Sequence, residues 1–576
     1  MGVGAWMNRV KRRLSRRKLY VFHSADYRLP LSSIESMAGL EPRRADYALW
    51  YLLDQRAIRP EYVSTPTPVR FSALERAHSR AYLESLDRPE VLGRILGVDP
   101  SDVPVAEVQR TMRLATEGTC EAARRTLATG QPSLNLLGGF HHAEPARGGG
   151  LCAINDIAVA LAGLRENGFG GTVGILDLDA HPSDGLSAFF AEDGRVWMGS
   201  ISGSDWGPLP GVDETFIPGA DDATYLRALD GLLERMPARD LMFVIAGGDV
   251  IASDRLGKLA LTLEGARQRD LHVATRLGKT PSVWLPGGGY NAESWKVLAG
   301  TGMVLALRDL RPIPRNYEPL RAQYSRIRAS LDPTDLEGPL LTEEDLFGVL
   351  GGTSSKLGRF IGFYTAEGLE YGLYQYGVLD HLRRLGYGRF RVELRRGDPG
   401  ERVLLFGWAA GEEHLLVELV LERIVIEDQK MLFIHWLTLR NPAARFSSDR
   451  PQLPGQETPG LGIAREMVEL IRSMARRLGM AGLAYRPAWF HTAYAARYHL
   501  RFVDAARQGR FQALIRDLSH LPLLEATVAV AEGHVRLNGE VYTWEPDLMA
   551  HWFGVMPEDD GEVVAAMEGA RFEVVG

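Results

Sequence analysis

The chain has 576 residues, 45% hydrophobic and 24% charged, with a net charge of -7 and two cysteines, Cys120 and Cys152. That length allows two or more domains with real cores, and the negative balance excludes an electrostatic nucleic-acid binder. Two cysteines exclude a disulfide framework and a cysteine-rich zinc module, which fits a reducing, cytoplasmic setting.

Residues 1–18 carry Arg9, Lys11, Arg12, Arg13, Arg16, Arg17 and Lys18 and read as a solvated basic tail. No apolar stretch follows them, so a signal peptide is not expected. No apolar run reaches the roughly 18 residues of a membrane-spanning helix.

From 19 to 310 short apolar runs alternate with helix-like segments, the pattern of an α/β domain with a parallel sheet. The runs Leu134–Leu137, Val173–Leu176, Leu241–Ala246 and Val283–Leu285 are short, apolar on both faces and rich in Val, Ile or Leu, as buried parallel strands are. Each is followed by glycines or by acidic, imidazole or phenolic residues. Ligands of open α/β sheets bind beyond the carboxyl ends of the strands, so four segments deliver polar groups to one rim.

The prolines from Pro312 to Pro339 make 311–344 look like a linker. A second globular part is expected over 345–515. It has strand-like runs at Val403–Trp408, Leu415–Ile426 and Met431–Leu439, a Pro/Gly-rich loop over Pro451–Gly462, and an amphipathic helix from Ile463 to about Leu478. Gly482–Tyr485 reads as a further strand, and Phe490–Phe502 as a helix with Tyr494 and Tyr498. Residues 516–576 read as a C-terminal extension without an assigned role. Within it, His534–Trp544 alternates around Asn538-Gly539, a hairpin signal.

Four motifs carry chemistry. Gly138-Gly139-Phe140-His141-His142 can place two imidazoles in one pocket. In Asp177-Leu178-Asp179-Ala180-His181, residues two apart point the same way along a strand, so two carboxylates and an imidazole converge. Such crowding is costly unless a cation joins it, and this donor set suits zinc and similar divalent metals. Asp249, after Gly247-Gly248 at the end of a buried strand, offers a carboxylate as a natural third ligand. Gly287-Gly288-Gly289-Tyr290 lets the backbone approach closely and brings a phenol to the rim.

With these motifs, residues 19–310 resemble a zinc-dependent histone deacetylase of the arginase-deacetylase fold. The likeness extends to His78-Ser79-Arg80-Ala81-Tyr82, Gly148-Gly149-Gly150-Leu151-Cys152-Ala153 and Asp254-Arg255-Leu256-Gly257, and is closest to class IV deacetylases and bacterial relatives. The resemblance implies one zinc on Asp179, His181 and Asp249. It implies His141 as general base oriented by Asp177, His142 paired with Asp184, and Tyr290 as oxyanion donor. It also implies a structural potassium near Asp177, Asp179, His181 and Ser200, and a substrate tunnel at Gly150, Leu151, Leu256 and Gly288. The implied reaction is hydrolysis of an acyl amide by metal-activated water, on N-ε-acetyl- or acyl-lysine in a protein or peptide.

The related arginases need further carboxylates for a second metal, and here those positions are Ser183 and Ile251, which favours a single zinc. Pro182-Ser183 departs from the family's wording after the zinc histidine and is expected to shift Asp184 and weaken its pairing with His142. Leu151 stands where the family has a tunnel-wall aromatic. Leu256 stands where acetylpolyamine-selective relatives carry glutamate, which argues against polyamines.

The order of elements over 345–515 resembles GNAT-type N-acetyltransferases, an α+β fold. That resemblance implies acetyl-CoA at the loop of Gly460 and Gly462, although Glu457 opens the loop with a charge that repels phosphate. Two further readings stay open. One is an acyl-amine binding or sensing module without turnover. The other is a bifunctional deacetylase-acetyltransferase acting on a small acylated amine. The sequence is also compatible with a homodimer.

Overall fold

The computed structural model describes residues 17–28, 39–337, 358–446, 451–497, 499–554 and 560–575. The basic cluster apart from Arg17 and Lys18, residues 338–357 at the expected linker junction, and Tyr498 lie outside them. The chain forms two compact units, Met1–Pro319 and Leu320–Gly576.

The first unit is built on eight strands: β1 (Tyr20–Phe22), β2 (Val63–Ser64), β3 (Ser133–Asn135), β4 (Val173–Asp177), β5 (Val196–Ser202), β6 (Val212–Phe216), β7 (Leu241–Ile245) and β8 (Ser282–Leu285). Their order is β2-β1-β3-β8-β7-β4-β5-β6, and every pairing is parallel. Every residue of β3, β4, β7 and β8 is buried. Helices flank the sheet, as a sheet apolar on both faces requires. Val105–Thr129 packs against Asp156–Glu166, while Ser294–Leu307 packs against Arg44–Asp54 and Leu263–Leu277. Side chains cap several of these helices: Asn155 accepts from the Ala158 N–H and Thr262 from that of Gly265.

The four expected strands are all present and stand side by side as β3-β8-β7-β4, although the chain visits them in the order 3, 4, 7, 8. Their carboxyl ends therefore share one rim. This is the arginase/deacetylase-like α/β architecture.

The second unit holds a seven-stranded sheet in the order β14-β17-β13-β12-β11-β10-β9. The strands are β9 (Gly388–Gly397), β10 (Gly400–Ala409), β11 (Glu412–Ile426), β12 (Gln429–Leu439), β13 (Gly482–Tyr485), β14 (Arg501–Phe502) and β17 (Met549–Trp552). β9 to β12 form an antiparallel meander. β13 then runs parallel to β12, with the helix Ala464–Arg477 in the crossover, and β17 is antiparallel to β13 and β14. A small sheet joins β15 (Val535–Leu537), β16 (Glu540–Val541) and β18 (Phe572–Val574). Asn538 (φ 50°) and Gly539 (φ 91°) turn the β15–β16 hairpin with both angles positive, as a two-residue turn of this hand needs.

Two sequence expectations are corrected here, and a stretch without an assigned role gains a place. The stretch 311–344 carries helices Pro319–Ser330 and Pro333–Glu337. Their prolines are first helical residues, where a missing N–H costs nothing, rather than linker punctuation. The helix expected over Phe490–Phe502 ends at Ala496, because the chain turns to pair Arg501 and Phe502 with Ala550 and Met549. The stretch 516–576, which the sequence leaves without a role, supplies β17, between β13 and β14. Among the described residues no helix is long and apolar enough to cross a membrane.

Candidate active site

The site lies at the carboxyl ends of β3, β8, β7 and β4. After β3 the chain passes Gly138 (φ 153°) and Gly139 (φ 81°) and reaches His141 and His142. A Cβ at Gly139 would stand 3.1 Å from the Gly287 nitrogen, so glycine lets the β3 and β8 loops touch. Buried Asp156 fixes this loop by accepting the N–H of Gly139 (3.0 Å) and of Phe140 (2.8 Å), and the hydroxyl of Thr119 (2.6 Å).

The two histidines share one plan. His141 Nδ1 meets Asp177 Oδ2 at 2.6 Å, and His142 Nδ1 meets Asp184 Oδ1 at 2.6 Å. Their Nε2 atoms lie 3.0 Å apart. The expected weakening of the His142–Asp184 pair does not occur. Ser183 instead donates its hydroxyl to Asp177 Oδ2 at 2.6 Å and leaves Asp184 at the start of the helix Asp184–Phe190. Burial disfavours the charged form of His141, but the Asp177 and Asp179 carboxylates outweigh it and push His141 up to about 9. Burial and the neighbouring His141 lower His142.

Asp179, His181 and Asp249 converge, with one donor atom from each within 4.8 Å of the others. His181 Nδ1 is 3.1 Å from Asp179 Oδ1 and 3.0 Å from Asp249 Oδ2. Both carboxylates are buried, 1% and 0% exposed. Burial and Asp179 raise Asp249; Asp179 is held low against burial by His141 and His181; and His181 rises to about 11 because the two carboxylates overcome its burial. Gly288 N–H donates to Asp179 Oδ2 at 2.6 Å, and Ala180 N–H to Asp249 Oδ1 at 3.1 Å, so backbone from β8 and β4 locks the carboxylates in place.

Tyr290 follows β8. Asp254 accepts its N–H (2.5 Å) and the Asn291 amide (2.8 Å) on one oxygen, and the N–H groups of Leu256 (2.9 Å) and Gly257 (3.0 Å) on the other. Burial and Asp179 push the Tyr290 phenol well above its ordinary value, so it remains a proton donor at neutral pH. Arg44 donates to the carbonyls of Gly287 (2.7 Å) and Gly288 (3.0 Å) behind it.

A cavity of about 60 Å³ joins His141, His142, Asp179, His181 and Tyr290, with Gly150, Leu151 and Gly288 in its wall. Leu256 is 44% exposed and is not part of that wall. Gly460 and Gly462 belong to the second unit, in the loop before the helix Ala464–Arg477. Trp206, which the sequence reading passed over, is 52% exposed and lies beside the site. Its ring centroid is 5.2 Å from that of His142 and 6.2 Å from that of His181. Asp156 and Arg44 were also passed over. The one signal for them in the sequence is polar residues placed where a buried strand or helix begins.

A family model described as histone deacetylase domain matches residues 39–302. An uncharacterized protein of Picosynechococcus is 32% identical over 278 residues, covering 46% of this chain and 87% of that protein. Histone deacetylase 2 of Arabidopsis thaliana is 30% identical over 303 residues, covering 49% of this chain and 77% of its own length. A probable deacetylase of Archaeoglobus fulgidus is 26% identical over 306 residues, covering 48% and 84%. The paired histidines, the carboxylate-imidazole triad and these relatives agree: the chain belongs to the histone deacetylase family of hydrolytic deacetylase enzymes.

Proposed function

We propose that this site hydrolyses the N-ε-acyl amide of lysine in a protein or peptide. The observation that carries the reading is the pair of imidazoles, each backed by a carboxylate at 2.6 Å, opening into the same cavity as Tyr290, Asp179 and His181.

The triad fits a divalent metal. Two nearly unexposed carboxylates beside one imidazole strain each other, as the raised Asp249 records, and a cation relieves that strain. Asp179, His181 and Asp249 would hold one zinc. When bound, it would polarise the amide carbonyl and make a water acidic, with a pKa of about 7. His141, with Nδ1 held by Asp177, presents Nε2 to accept the proton of the attacking water. His142, held by Asp184, shares that proton across the Nε2 pair and supports its delivery to the leaving lysine amine. Tyr290 donates its hydroxyl to the oxygen on which negative charge develops. Leu151 and Trp206 bound the approach of the acyl-lysine stem. Ser200 Oγ is buried without a hydrogen-bond partner among the described residues, which supports a potassium near Asp177, Asp179 and His181.

Zinc analysis combined with turnover of one lysine peptide carrying acetyl through long fatty-acyl groups tests the proposal. A zinc-loaded chain that hydrolyses none of them sinks it and favours the acyl-amine binding module.

For the second unit we propose a GNAT-like domain with acetyl-CoA at Gly460 and Gly462. The support is the parallel β12–β13 pair joined through the helix Ala464–Arg477, with Gly462 at φ 72° just before it. Equilibrium dialysis against acetyl-CoA decides between this and a scaffold: no binding leaves a scaffold.

A further inference from the structure

The helix Leu263–Leu277 sends Arg269 into the interior, where it is 0% exposed. Its Nη1 donates to the Gly247 carbonyl at 2.8 Å and to the Leu178 carbonyl at 3.3 Å. Leu178 immediately precedes Asp179, and Gly247 lies two residues before Asp249. Its Nε donates to Asp270 Oδ1 at 2.9 Å, and Thr301 of the helix Ser294–Leu307 donates its hydroxyl to Asp270 Oδ2 at 2.6 Å. One guanidinium thus ties together the two chain segments that leave β4 and β7, and two helices anchor it.

A buried ion pair is a costly way to fill space. Replacing one with apolar residues of similar volume is often neutral or stabilising, whereas Arg269 serves two backbone carbonyls that an apolar side chain would leave unpaired. The two segments have no slack. A Cβ at Gly247 would stand 2.7 Å from Asp179 Cα and 2.6 Å from Asp249 Oδ1. The positions of the gripped carbonyls therefore set where both carboxylates point.

We propose that Arg269 is a positioning residue for the divalent-cation site: by holding the Leu178 and Gly247 carbonyls together it fixes the spacing of Asp179 and Asp249. This rests on the reading of Asp179, His181 and Asp249 as a metal site. Outer hydrogen-bond partners of metal ligands typically contribute about 10- to 100-fold in metal affinity.

The test uses the full chain stripped of metal, with Co²⁺ as the probe. Arg269→Met is expected to weaken Co²⁺ binding about 10- to 100-fold and to change the visible absorption of the bound ion. Arg269→Lys, which keeps the charge but loses the two-carbonyl grip, is expected to fall between Arg269→Met and wild type on both readouts. A folded Arg269→Met chain with wild-type affinity and spectrum overturns the proposal. In that case the arginine serves stability alone, seen as a lower Tm of the metal-free chain. If Arg269→Met does not fold, Arg269→Lys decides by the same two readouts, and wild-type behaviour overturns the proposal. Asp249→Asn guards the premise: if it binds Co²⁺ as tightly as wild type, the metal site itself is wrong and the proposal falls with it.

Discussion

His141 Nε2 and His142 Nε2 face each other across 3.0 Å, while each ring's Nδ1 is committed to a carboxylate. Two neutral rings so oriented would both offer lone pairs to the gap, so the contact needs one proton between them. Removing the charge behind His141 should lower its basicity. Asp177→Asn is expected to cost about 100-fold or more in kcat/KM, the scale of general-base catalysis. A pH–rate profile that keeps both its height and its acid limb would count against His141 as the base.

The proposed metal site competes with protons. His181 must be neutral to bind a metal, yet Asp179 and Asp249 hold it up at about 11 in the metal-free chain. Its folded value lies above the unfolded one, so protonation persists through neutral pH and a metal must displace the proton. Zinc affinity is therefore expected to rise up to about tenfold per pH unit below that value. Calorimetry in two buffers of different ionisation enthalpy should show proton release. A flat affinity between pH 6 and 9 contradicts this.

Tyr290→Phe removes only the hydroxyl. It is expected to lower kcat about 100- to 1,000-fold, the usual cost of one oxyanion donor, at unchanged zinc content. Parallel loss of zinc would show that the phenol supports the fold of the rim instead.

Trp206 offers an aromatic ring 5.2 Å from that of His142 at 31°, and Leu151 lines the cavity that His142 enters. Trp206→Ala should raise KM for an acyl-lysine peptide about tenfold, the worth of roughly 1–2 kcal/mol of aromatic contact, with a smaller change in kcat. Leu151→Phe should penalise long acyl groups more than acetyl. Equal effects on both would remove Leu151 from the list of acyl-selecting residues.

His78 is buried, with Nδ1 at 3.0 Å from the Glu144 carbonyl and Nε2 accepting the Asn155 N–H at 3.0 Å. Burial lowers it to about 4. Because the folded value lies below the unfolded one, the neutral ring contributes stability above about pH 6.5, and that contribution is lost as pH falls toward 4. The loss should reach about 3 kcal/mol. Urea midpoints for wild type and His78→Asn check it: the wild type should lose stability more steeply over that window.

Much of this was legible in the sequence because the chemistry sits in short contiguous motifs after apolar runs. Asp177, Asp179 and His181 are two apart, and Gly-Gly precedes both His141 and Asp249 with one or no residue between, so local geometry already points them to a strand end. What escaped acts over long separations. Arg269 meets carbonyls 22 and 91 residues away, and Arg44 reaches Gly287 across 243. Local patterns also misled where a residue had two structural uses: Pro319 and Pro333 begin helices, and Ser183, expected to disturb Asp184, bonds to Asp177.

By itself, then, the sequence determined which carboxylates, imidazoles and phenol stand at the strand ends, because side-chain type and short-range spacing set which groups a strand end can present. Only the tertiary structure decided that β3, β8, β7 and β4 stand adjacent, that Trp206 rather than Leu256 sits beside the imidazoles, and that Met549–Trp552 completes the second sheet. Strand order and the closure of loops over a rim depend on burial summed over the whole unit, and no single stretch of the chain encodes that sum.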